Sequence, residues 1–342
     1  MTASISETER VVLITGCSAG GIGHHLALEL AAHGCRVFAG VRTLSKAQAL
    51  AENPRIEAIE LDITSDSSVD AAVARVLAAT GGRIDVLVNN AGVLCAGPTV
   101  EAPLSRVEEV FDTNVIGLAR LCSAVAPVMM DRRRGTIVNV GSVSGYVATP
   151  WVGFYAASKA AAHAYSDALR MELAPFGVRV VVVAPGSIRS NLVANHSDSL
   201  IEAESSRFVL ARSAIEARAG LSQNSDTTPA TEFARVVVPR ILGDSPPAYI
   251  TYGSHAAATW LLYFVPPVIR DYLLGRRFGT HQLARDLKGG CPFSGKKGGG
   301  SCPVSGGRAK ASVSCPIASP LAMWVALAAL VAGGAYSVFK AS

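Results

Sequence analysis

The sequence predicts an α/β protein with a doubly wound, mainly parallel sheet and helices on both faces. Short apolar runs of strand length alternate with longer segments of helical periodicity through residues 10–252. Half of all residues are hydrophobic and 32 are glycine, a composition typical of a sheet that is buried on both faces. The 342 residues are enough for one large domain of this kind and an extension.

The order of the predicted elements implies repeated βαβ units. Strands are predicted at 11–15, 36–41, 56–61, 86–89, 136–140, 178–184 and 248–252. Helices are predicted at 22–32, 106–131 and 154–174. Because helical crossovers between parallel strands build one sheet, this order predicts a Rossmann-type domain over residues 1–254.

A glycine-rich turn joins the first predicted strand to the first predicted helix. It reads Thr-Gly-Cys-Ser-Ala-Gly-Gly-Ile-Gly from Thr15 to Gly23. Glycines let the backbone approach a pyrophosphate, and the helix N-terminus that follows offers free N–H groups to it. In this position the turn predicts a dinucleotide site. Its candidate contacts are Gly16, Ser18, Gly21, Ile22 and Gly23.

The residues after the next strands indicate which dinucleotide binds. An NAD site usually has an acidic residue after the second strand for the ribose 2′-hydroxyl. Here Arg42 stands there instead, and a guanidinium suits a 2′-phosphate, so we predict NADPH. Asp62 is either an adenine contact or part of the next helix's N-cap region. Asn90, Ala91 and Gly92 follow the fourth strand and leave room for the cofactor.

A tyrosine and a lysine open the long helix predicted at 154–174. Tyr155 and Lys159 are four residues apart, so both side chains lie on one helix face. A free tyrosine has a pKa of about 10, and a nearby cation lowers that pKa into a more useful range for proton transfer. Ser142 precedes the tyrosine by 13 residues, and its hydroxyl can hydrogen-bond a substrate carbonyl. Together these residues predict a carbonyl reductase.

These features resemble the short-chain dehydrogenase/reductase family over residues 10–252. The matching pieces are the turn from Thr15 to Gly23, Asp62, Asn89–Gly92, Asn114, Ser142, Tyr155–Lys159 and Pro185-Gly186. The resemblance implies that Tyr155 donates a proton to the carbonyl oxygen while NADPH delivers hydride. It implies that Lys159 lowers the tyrosine pKa and holds the nicotinamide ribose, and that Ser142 orients the carbonyl.

The same resemblance assigns two further parts of the site. Asn114 would support a water molecule in a proton relay. The nicotinamide side of the pocket would be lined by Pro185, Gly186, Ile188 and Ser190.

The turn departs from the family pattern Thr-Gly-x-x-x-Gly-x-Gly by one inserted residue. The three glycines then align best as Gly16, Gly21 and Gly23, which leaves open whether Ser18 touches the 2′-phosphate. The insertion, together with the segments Phe264-Val-Pro-Pro and Leu273-Leu-Gly-Arg-Arg-Phe278, resembles the 1-acyldihydroxyacetone-phosphate reductase branch.

This branch implies reduction of 1-acyl-dihydroxyacetone phosphate to lysophosphatidic acid at the endoplasmic reticulum or lipid droplets. Arg189, Arg207 and Arg212 are candidates to hold the substrate phosphate, or are solvated loop charges. A retinol, steroid or other lipid carbonyl oxidoreductase of the same family is the alternative, because the residues that decide the substrate lie in the variable 191–225 region.

Three stretches after residue 254 differ from the body in composition. We predict an apolar, aromatic helical segment over 255–288, a flexible linker over 289–316 and a transmembrane tail anchor over 317–340. The first stretch is either a packed helix pair or a surface that dips into a membrane interface. The last is alternatively a buried or amphipathic helix.

The basic charge lies in this C-terminal part. The chain holds 31 Lys and Arg against 26 Asp and Glu, and residues 270–310 alone hold nine basic and two acidic side chains. The body is therefore mildly acidic, which argues against nucleic-acid binding and favours an anionic membrane surface as partner. We expect a membrane-associated enzyme that faces the cytosol and acts on a lipid ketone, and a homo-oligomer is left open.

The seven cysteines fall into two groups. Four are scattered through the body and indicate small buried side chains in a reducing compartment: Cys17, Cys35, Cys95 and Cys122. The other three, each followed by proline, lie in the C-terminal part: Cys291, Cys302 and Cys315. Three interpretations of the Cys-Pro pairs stay open. They belong to a linker that binds no ligand, they ligate haem iron through their thiolates, or Cys315 carries an acyl chain. No metal site is predicted, since no histidine accompanies them. A non-catalytic NADP(H)- or haem-sensing membrane adaptor is the alternative of another class.

Overall fold

A seven-stranded parallel sheet forms the centre of the molecule. The computed structural model describes residues 9–190 and 206–288, which belong to one compact unit, Met1–Cys291. The strands lie in the order β3-β2-β1-β4-β5-β6-β9, and every neighbouring pair is parallel. This is the predicted doubly wound sheet. The predicted linker and tail anchor lie outside the described residues.

The elements follow the chain as predicted, with small differences at their ends. The strands of the sheet are β1 (Val11–Thr15), β2 (Arg36–Val41), β3 (Ile56–Glu60), β4 (Val86–Asn89), β5 (Gly135–Val140), β6 (Val178–Pro185) and β9 (Tyr249–Tyr252). A separate two-stranded pair, which the sequence did not predict, is β7 (Ile188–Arg189) and β8 (Thr228–Pro229). The helices are α1 (Ile22–Ala32), α2 (Asp66–Thr80), α3 (Leu104–Phe111), α4 (Leu118–Asp131), α5 (Gly153–Leu173), α6 (Arg212–Ala219), α7 (Ala230–Leu242), α8 (Ala256–Tyr263), α9 (Pro267–Arg277) and α10 (Thr280–Lys288).

Apolar cores cover both faces of the sheet. On one face, α1 and α7 pack together and bury Leu30 and Phe233 against the strands. On the other face, α2 and α4 bury Val76 and Leu121. Every residue of β1 is buried, as expected for a central strand of a parallel sheet with helices on both sides. Each fully buried large aliphatic side chain contributes about 1.5–3 kcal/mol to folding.

The helix predicted at 106–131 is interrupted. A π-helical segment, Asp112–Gly117, separates α3 from α4. The extra backbone residue in such a turn re-aims the side chains around it, and it often marks a functional site. Here the segment contains Asn114, whose side chain forms hydrogen bonds with the Val93 backbone and with the Ser158 hydroxyl. The periodicity of the sequence could not distinguish this segment from a continuous α-helix.

The same stretch is the one helix among the described residues that is long and apolar enough to span a membrane. It covers Leu104–Asp131, and 44% of its most apolar window is buried in the protein. Leu121, Val125 and Met129 of its second half are completely buried against the sheet. Packing within the domain therefore accounts for its apolar composition.

The C-terminal segment packs on the body as three helices, α8 to α10, where the sequence suggested a helix pair or an interfacial surface. Pro267 occupies the first turn of α9, where proline is well tolerated, and so sets the boundary with α8. Trp151, Ile215 and Leu283 form a small buried cluster that ties α10 to α6 and to the loop before α5. The segment is thus held against the part of the body that precedes the predicted catalytic tyrosine.

Candidate active site

The glycine turn after β1 comes close to the residues after β4. Gly16 has φ +72°, a left-handed conformation that favours glycine, and a Cβ there would lie 2.9 Å from Ala91 Cα. A Cβ at Gly23 would lie 2.5 Å from the Gly16 carbonyl oxygen and from Asn90 Nδ2. Glycine at these positions therefore permits close backbone packing and leaves the surface above the turn open for a cofactor.

Thr15 and Asn90 fasten the two strand ends together. Thr15 Oγ1 accepts hydrogen bonds from the backbone N–H groups of Asn90 at 3.0 Å and Ala91 at 2.9 Å. In return, Asn90 Nδ2 donates to the carbonyl oxygens of Thr15 at 2.8 Å and Gly16 at 3.1 Å. The Asn90 side chain thus fixes the turn, and its role in a cofactor site would be largely that of a support.

The residue inserted into the turn is accommodated at its outer edge. Ala19 and Gly20 are exposed, and Gly20 has φ +73°. Cys17 is fully buried in the core, while Ser18 and Gly21 line the cleft. The insertion therefore bulges outward and leaves the predicted contacts of the turn on the cleft wall.

Arg42 and Asp62 lie at the far end of the cleft from the predicted catalytic residues. Within the described part of the chain, the Arg42 guanidinium makes no hydrogen bond or ion pair, and it lines the cleft directly after β2. Asp62 Oδ1 accepts from the Thr64 backbone N–H at 3.0 Å and its hydroxyl at 2.7 Å. Burial alone would raise the pKa of Asp62, but these bonds and the charges of Arg42 and Arg120 lower it overall. Asp62 thus lines the cleft and also shapes the entry to α2, so both predicted roles are compatible with its position.

Ser142, Tyr155 and Lys159 meet where β5 ends and α5 begins. Burial raises the pKa of Tyr155, while a hydrogen bond with the Ser142 side chain and the positive charge of Arg218 partly offset this. Lys159 Nζ lies 5.9 Å from the Tyr155 ring centre and donates to the Val140 carbonyl oxygen at 2.9 Å. Burial lowers the pKa of Lys159 to about 8.

The groups that lower the pKa of Tyr155 differ from those expected from the sequence. The sequence assigned that effect to Lys159, but in this structure Ser142 and Arg218 are the groups that lower the pKa of Tyr155. Lys159 instead faces Gly92, where an added Cβ would lie 3.5 Å from its Nζ. Its ammonium is therefore oriented toward the cofactor side of the cleft.

Asn114 is a buried support in this site. Its Nδ2 donates to the Val93 carbonyl oxygen and to Ser158 Oγ, both at 3.0 Å, and its Oδ1 accepts from the Val93 N–H at 2.8 Å. Asn114 thereby joins the chain after β4 to α5, one residue before Lys159. It does not line the cleft, and the predicted water relay stays a prediction.

His163 supports the segment that carries Ser142. Its Nε2 accepts a hydrogen bond from the Ser142 backbone N–H at 3.3 Å, and a Cβ at Gly141 would clash with the same nitrogen. Burial and the charge of Lys159 lower the pKa of His163 to about 4, although Asp167 opposes this. The imidazole is therefore neutral at physiological pH, as an acceptor at Nε2 must be. The sequence analysis missed this residue, and its only signal was its position on the helix of Tyr155.

All these groups surround one cleft with a volume of about 460 Å³. Every predicted cofactor contact lines it except Gly23, which lies beneath the turn. The open cradle above Gly16, the unpaired guanidinium of Arg42 and the wall formed by Pro185 to Ser190 fit a dinucleotide that carries a 2′-phosphate. The geometry thus matches the predicted NADPH site.

The structure adds a wall that the sequence analysis had not placed at the site. Helices α8 and α9 close the cleft with Thr259, Leu262, Leu274, Arg277 and Phe278, and α6 contributes Arg218. None of the three arginines predicted to hold a substrate phosphate lines this cleft.

Each of those three arginines lies elsewhere. Arg189 donates to the Ser225 carbonyl oxygen at 3.0 Å, Arg207 is exposed beside Glu101, and Arg212 is exposed at the start of α6. Proximity in sequence to the Pro185-Gly186 motif was therefore a poor guide to which arginine reaches the cleft.

A family model described as short chain dehydrogenase matches residues 10–200. The chain belongs to the short-chain dehydrogenase family. Among its relatives is "Short-chain dehydrogenase cctT" of Talaromyces islandicus, which is 35% identical over 80% of this chain and 97% of its own length. The "NADPH-dependent 1-acyldihydroxyacetone phosphate reductase" of Saccharomyces cerevisiae is 31% identical over 83% of this chain and 96% of its own.

A solved structure of this short-chain dehydrogenase family agrees with the fold. The short chain dehydrogenase from Burkholderia cenocepacia J2315, determined in complex with NADP, is 27% identical and has a TM-score of 0.60. The match covers 79% of this chain and 97% of that one. Two predictions are thereby confirmed: this short-chain dehydrogenase is an NAD(P)-dependent oxidoreductase, and its cofactor is NADPH.

The unpaired guanidinium of Arg42 yields a prediction about cofactor choice. Arg42→Gln should raise the Kd for NADPH about 10- to 100-fold, the loss expected for charge-assisted hydrogen bonds to a phosphate, and should change the Kd for NADH much less. Fluorescence titration with both cofactors measures this. Arg75→Gln is the matched control, because Arg75 pairs with Glu57 outside the cleft. An equal loss for both cofactors would contradict the assignment.

The neutral state of His163 yields a prediction about stability. Its pKa is about 4 in the folded protein, against 6.5 for an ordinary histidine, so the unfolded chain binds more protons between these two pH values. Neutral His163 therefore contributes about 3 kcal/mol to the free energy of unfolding above pH 6.5, and this contribution is lost as the pH falls through 4. His163→Gln keeps an acceptor for Ser142 but cannot titrate. Urea unfolding from pH 7 to 4 should therefore show a shallower loss for the variant than for the wild type, and equal slopes would refute the idea.

Proposed function

We propose that this short-chain dehydrogenase reduces the ketone of a 1-acyl-dihydroxyacetone phosphate to 1-acylglycerol 3-phosphate with NADPH. One observation carries the proposal: Ser142 and Tyr155 line one cleft together with an apolar wall that includes Leu262 of α8 and Leu274 of α9. Such a wall suits a long acyl chain next to the reacting carbonyl. The relative from Saccharomyces cerevisiae carries the name of this activity, which supports the same substrate.

The cleft offers apolar surface where an acyl chain would lie. Leu221 of the segment after α6, Leu262 of α8, and Leu274 and Phe278 of α9 and its end all line it. Burying one CH₂ group in such surroundings is worth about 0.8 kcal/mol, so a fatty acyl chain gains substantial binding free energy here. Ser142 and Tyr155 line the same cleft and would bind the ketone oxygen next to this apolar surface.

Tyr155 acts as the acid in this proposal. Burial raises its pKa, so the phenol is protonated at neutral pH and has a proton to give to the carbonyl oxygen. The hydrogen bond between Ser142 and Tyr155 brings both hydroxyls to one carbonyl oxygen. That oxygen would accept from both groups as negative charge develops on it.

Lys159 and Asn114 hold the remaining geometry. Bound NADPH supplies the hydride that goes to the carbonyl carbon, and the proton from Tyr155 completes the alcohol. The Lys159 ammonium, fixed by the Val140 carbonyl oxygen, would bind the ribose hydroxyls and stabilise the phenolate that remains after proton transfer. Asn114 keeps the start of α5 in register with the chain after β4, so that Tyr155 and Lys159 keep their places.

We also propose that the enzyme works at a membrane surface. The outer faces of α8 and α9 expose large apolar side chains: Trp260, Leu261, Tyr263, Phe264, Val268, Tyr272 and Leu273. Arg276 and Arg277 are exposed on α9 next to them. Aromatic and aliphatic side chains beside cations are typical of a surface that sits on anionic lipid headgroups. Because the inner faces of the same helices line the cleft, a lipid would move only a short distance from the bilayer into the site.

The remaining predictions about location are part of this proposal. The linker over 289–316 and the apolar segment over 317–340 follow α10 directly in the sequence, and a tail anchor there would keep the α8–α9 surface near lipid. We propose an orientation that faces the cytosol, at the endoplasmic reticulum or lipid droplets.

Replacing Tyr155, the proposed proton donor, tests the proposed reduction. Tyr155→Phe should lower kcat for 1-acyl-dihydroxyacetone phosphate about 100-fold or more, within the range that acid–base catalysis contributes, while the Kd for NADPH changes little. NADPH oxidation and NADPH titration measure the two effects. Tyr165→Phe, a change at another tyrosine on α5, is the control. Turnover retained in Tyr155→Phe, or a wild type that reduces steroid or retinoid ketones and not this substrate, would refute the proposal.

A double substitution tests the membrane surface. Trp260→Ser with Phe264→Ser should raise the KM for a substrate carried in anionic vesicles several-fold more than the KM for a short-chain soluble analogue, because only the former requires contact with the bilayer. Met171→Ser, an exposed apolar residue on α5, is the matched control. Equal changes for the two substrates would count against a docking role for this surface.

A further inference from the structure

Arg218 is a cation placed inside the candidate active site. It lies near the end of α6 and lines the same cleft as Ser142 and Tyr155. Its Nε donates to Thr149 Oγ1 at 2.9 Å, and its guanidinium carbon lies 5.4 Å from the centre of the Phe278 ring. Its charge is close enough to Tyr155 to lower the pKa of the phenol. The guanidinium is thus held on one side by a hydroxyl and on another by an aromatic face.

The charge of this guanidinium has no counterion among residues 9–190 and 206–288. Within these residues the Arg218 side chain forms no ion pair, and Thr149 is its one hydrogen-bond partner. Removing a cation from water without an anionic partner is costly, and burial lowers the pKa of Arg218 to about 10. It is still charged at neutral pH. A site that retains such a cation beside the reacting groups is suited to receive an anion.

Buried contacts join the surroundings of Arg218 to the start of α5 and the end of α9. Trp151 Nε1 donates to the Phe278 carbonyl oxygen at 2.7 Å and joins the buried cluster that contains Ile215, one turn before Arg218. Trp151 also has φ +71°, an unusual conformation for a large side chain, four residues before Tyr155. The cluster therefore fixes Arg218, the Phe278 ring and the start of the catalytic helix relative to one another.

A second arginine reaches the cleft from α9. Arg277 is exposed and lines the cleft, next to Phe278. Its neighbour Arg276 is also exposed, but it lies over Tyr272, with its guanidinium carbon 5.9 Å from the ring centre, and does not line the cleft. Arg277 is thus placed to contact a ligand in the cleft, and Arg276 is not.

We propose that Arg218, with Arg277 at the cleft rim, binds the phosphate monoester of the substrate. The inference rests on the proposed function and adds the residues that select a phosphorylated ketone over a neutral one. A guanidinium presents parallel N–H donors that match two phosphate oxygens, and two arginines favour a dianion over a carboxylate. With the phosphate held by Arg218, the ketone of the same molecule would lie near Tyr155, since both residues line the cleft and the charge of Arg218 acts on the phenol.

A comparison of two substrates tests this subsite. The pair is a 1-acyl-dihydroxyacetone phosphate and its dephosphorylated form with the same acyl chain. Arg218→Gln should lower the ratio of their kcat/KM values about 10- to 100-fold, the loss expected for charge-assisted hydrogen bonds. Arg218→Lys, which keeps the charge without the planar fork, should lower the ratio less. Arg277→Gln should lower it in the same direction.

A matched control separates this role from others. Arg212→Gln on α6 removes an exposed charge that does not line the cleft, and it should leave the ratio unchanged. If Arg218→Gln slows both substrates equally, Arg218 acts only through Tyr155 or through the fold, and the subsite is refuted. The ratio is measured within one variant, so partial loss of folded protein does not alter it.

A binding experiment keeps the two proposals distinguishable. Dodecyl phosphate should inhibit the wild type competitively against whichever ketone the enzyme reduces, and should do so better than dodecanol. Its inhibition constant should rise about 10-fold or more in Arg218→Gln and stay the same in Arg212→Gln. If the wild type does not reduce 1-acyl-dihydroxyacetone phosphate yet shows this pattern, the proposed substrate is wrong and the subsite stands. If dodecyl phosphate inhibits no better than dodecanol, the subsite is overturned.

Discussion

The hydrogen-bonded junction between Thr15 and Asn90 is the constraint on which the rest of the site depends. In the sheet, β1 lies between β2 and β4, and the order of the strands reverses between β1 and β4. Chains leaving these two strands diverge to opposite faces, and ligands bind in the crevice that opens there. The four hydrogen bonds of this junction hold the crevice at a fixed width. Gly16 and Gly23 then allow the backbone to pack so closely that the cofactor side of the crevice stays clear.

A second set of buried polar contacts fixes the catalytic side of the cleft. Asn89 donates to Asn139, and Asn139 donates to Ser166, so the ends of β4 and β5 are bound to α5 through side chains. Asn114 of the π-helical segment donates to Ser158 of α5. His163 of α5 accepts from the Ser142 backbone N–H. Buried polar groups cost free energy unless they are paired, and fully paired networks of this kind favour one arrangement over others. The helix that carries Tyr155 and Lys159 therefore has little freedom to shift relative to Ser142.

Burial also sets the electrostatic character of the cleft. Desolvation is the main cause that lowers the pKa of Lys159 to about 8 and that of Arg218 to about 10. Two cations in a poorly solvated cleft attract negative charge, and the cofactor and the proposed substrate both carry phosphate groups. The same desolvation raises the pKa of Tyr155, which keeps the phenol in the form that can donate a proton. One physical effect thus favours the binding of anions in the cleft and keeps the proposed acid protonated.

The sequence by itself determined the sheet and the glycine turn, and it predicted a trio of residues, Ser142, Tyr155 and Lys159, that meet in one cleft. Each predicted strand of the sheet ends within one residue of its position in the structure. In the central strands, burial on both faces leaves a continuous apolar run in the sequence. Local sequence also predicted three parts of the site: the glycine turn, Arg42 and the pair Tyr155 and Lys159. Their spacing along the chain places them at strand ends or on one helix face without help from distant residues.

Only the tertiary structure decided which distant residues complete the site. Arg218 is a partly buried arginine on a short helix, and nothing in its neighbourhood in sequence separates it from Arg212, which faces solvent on the same helix. Its place in the cleft depends on packing between Trp151, α6 and the end of α9, which are far apart along the chain. The π-helical segment around Asn114 was not predicted from the sequence. A helical segment was predicted over 255–288, but not that side chains of α8 and α9 line the cleft. Local periodicity records which side chains are buried, but it does not record what they are buried against.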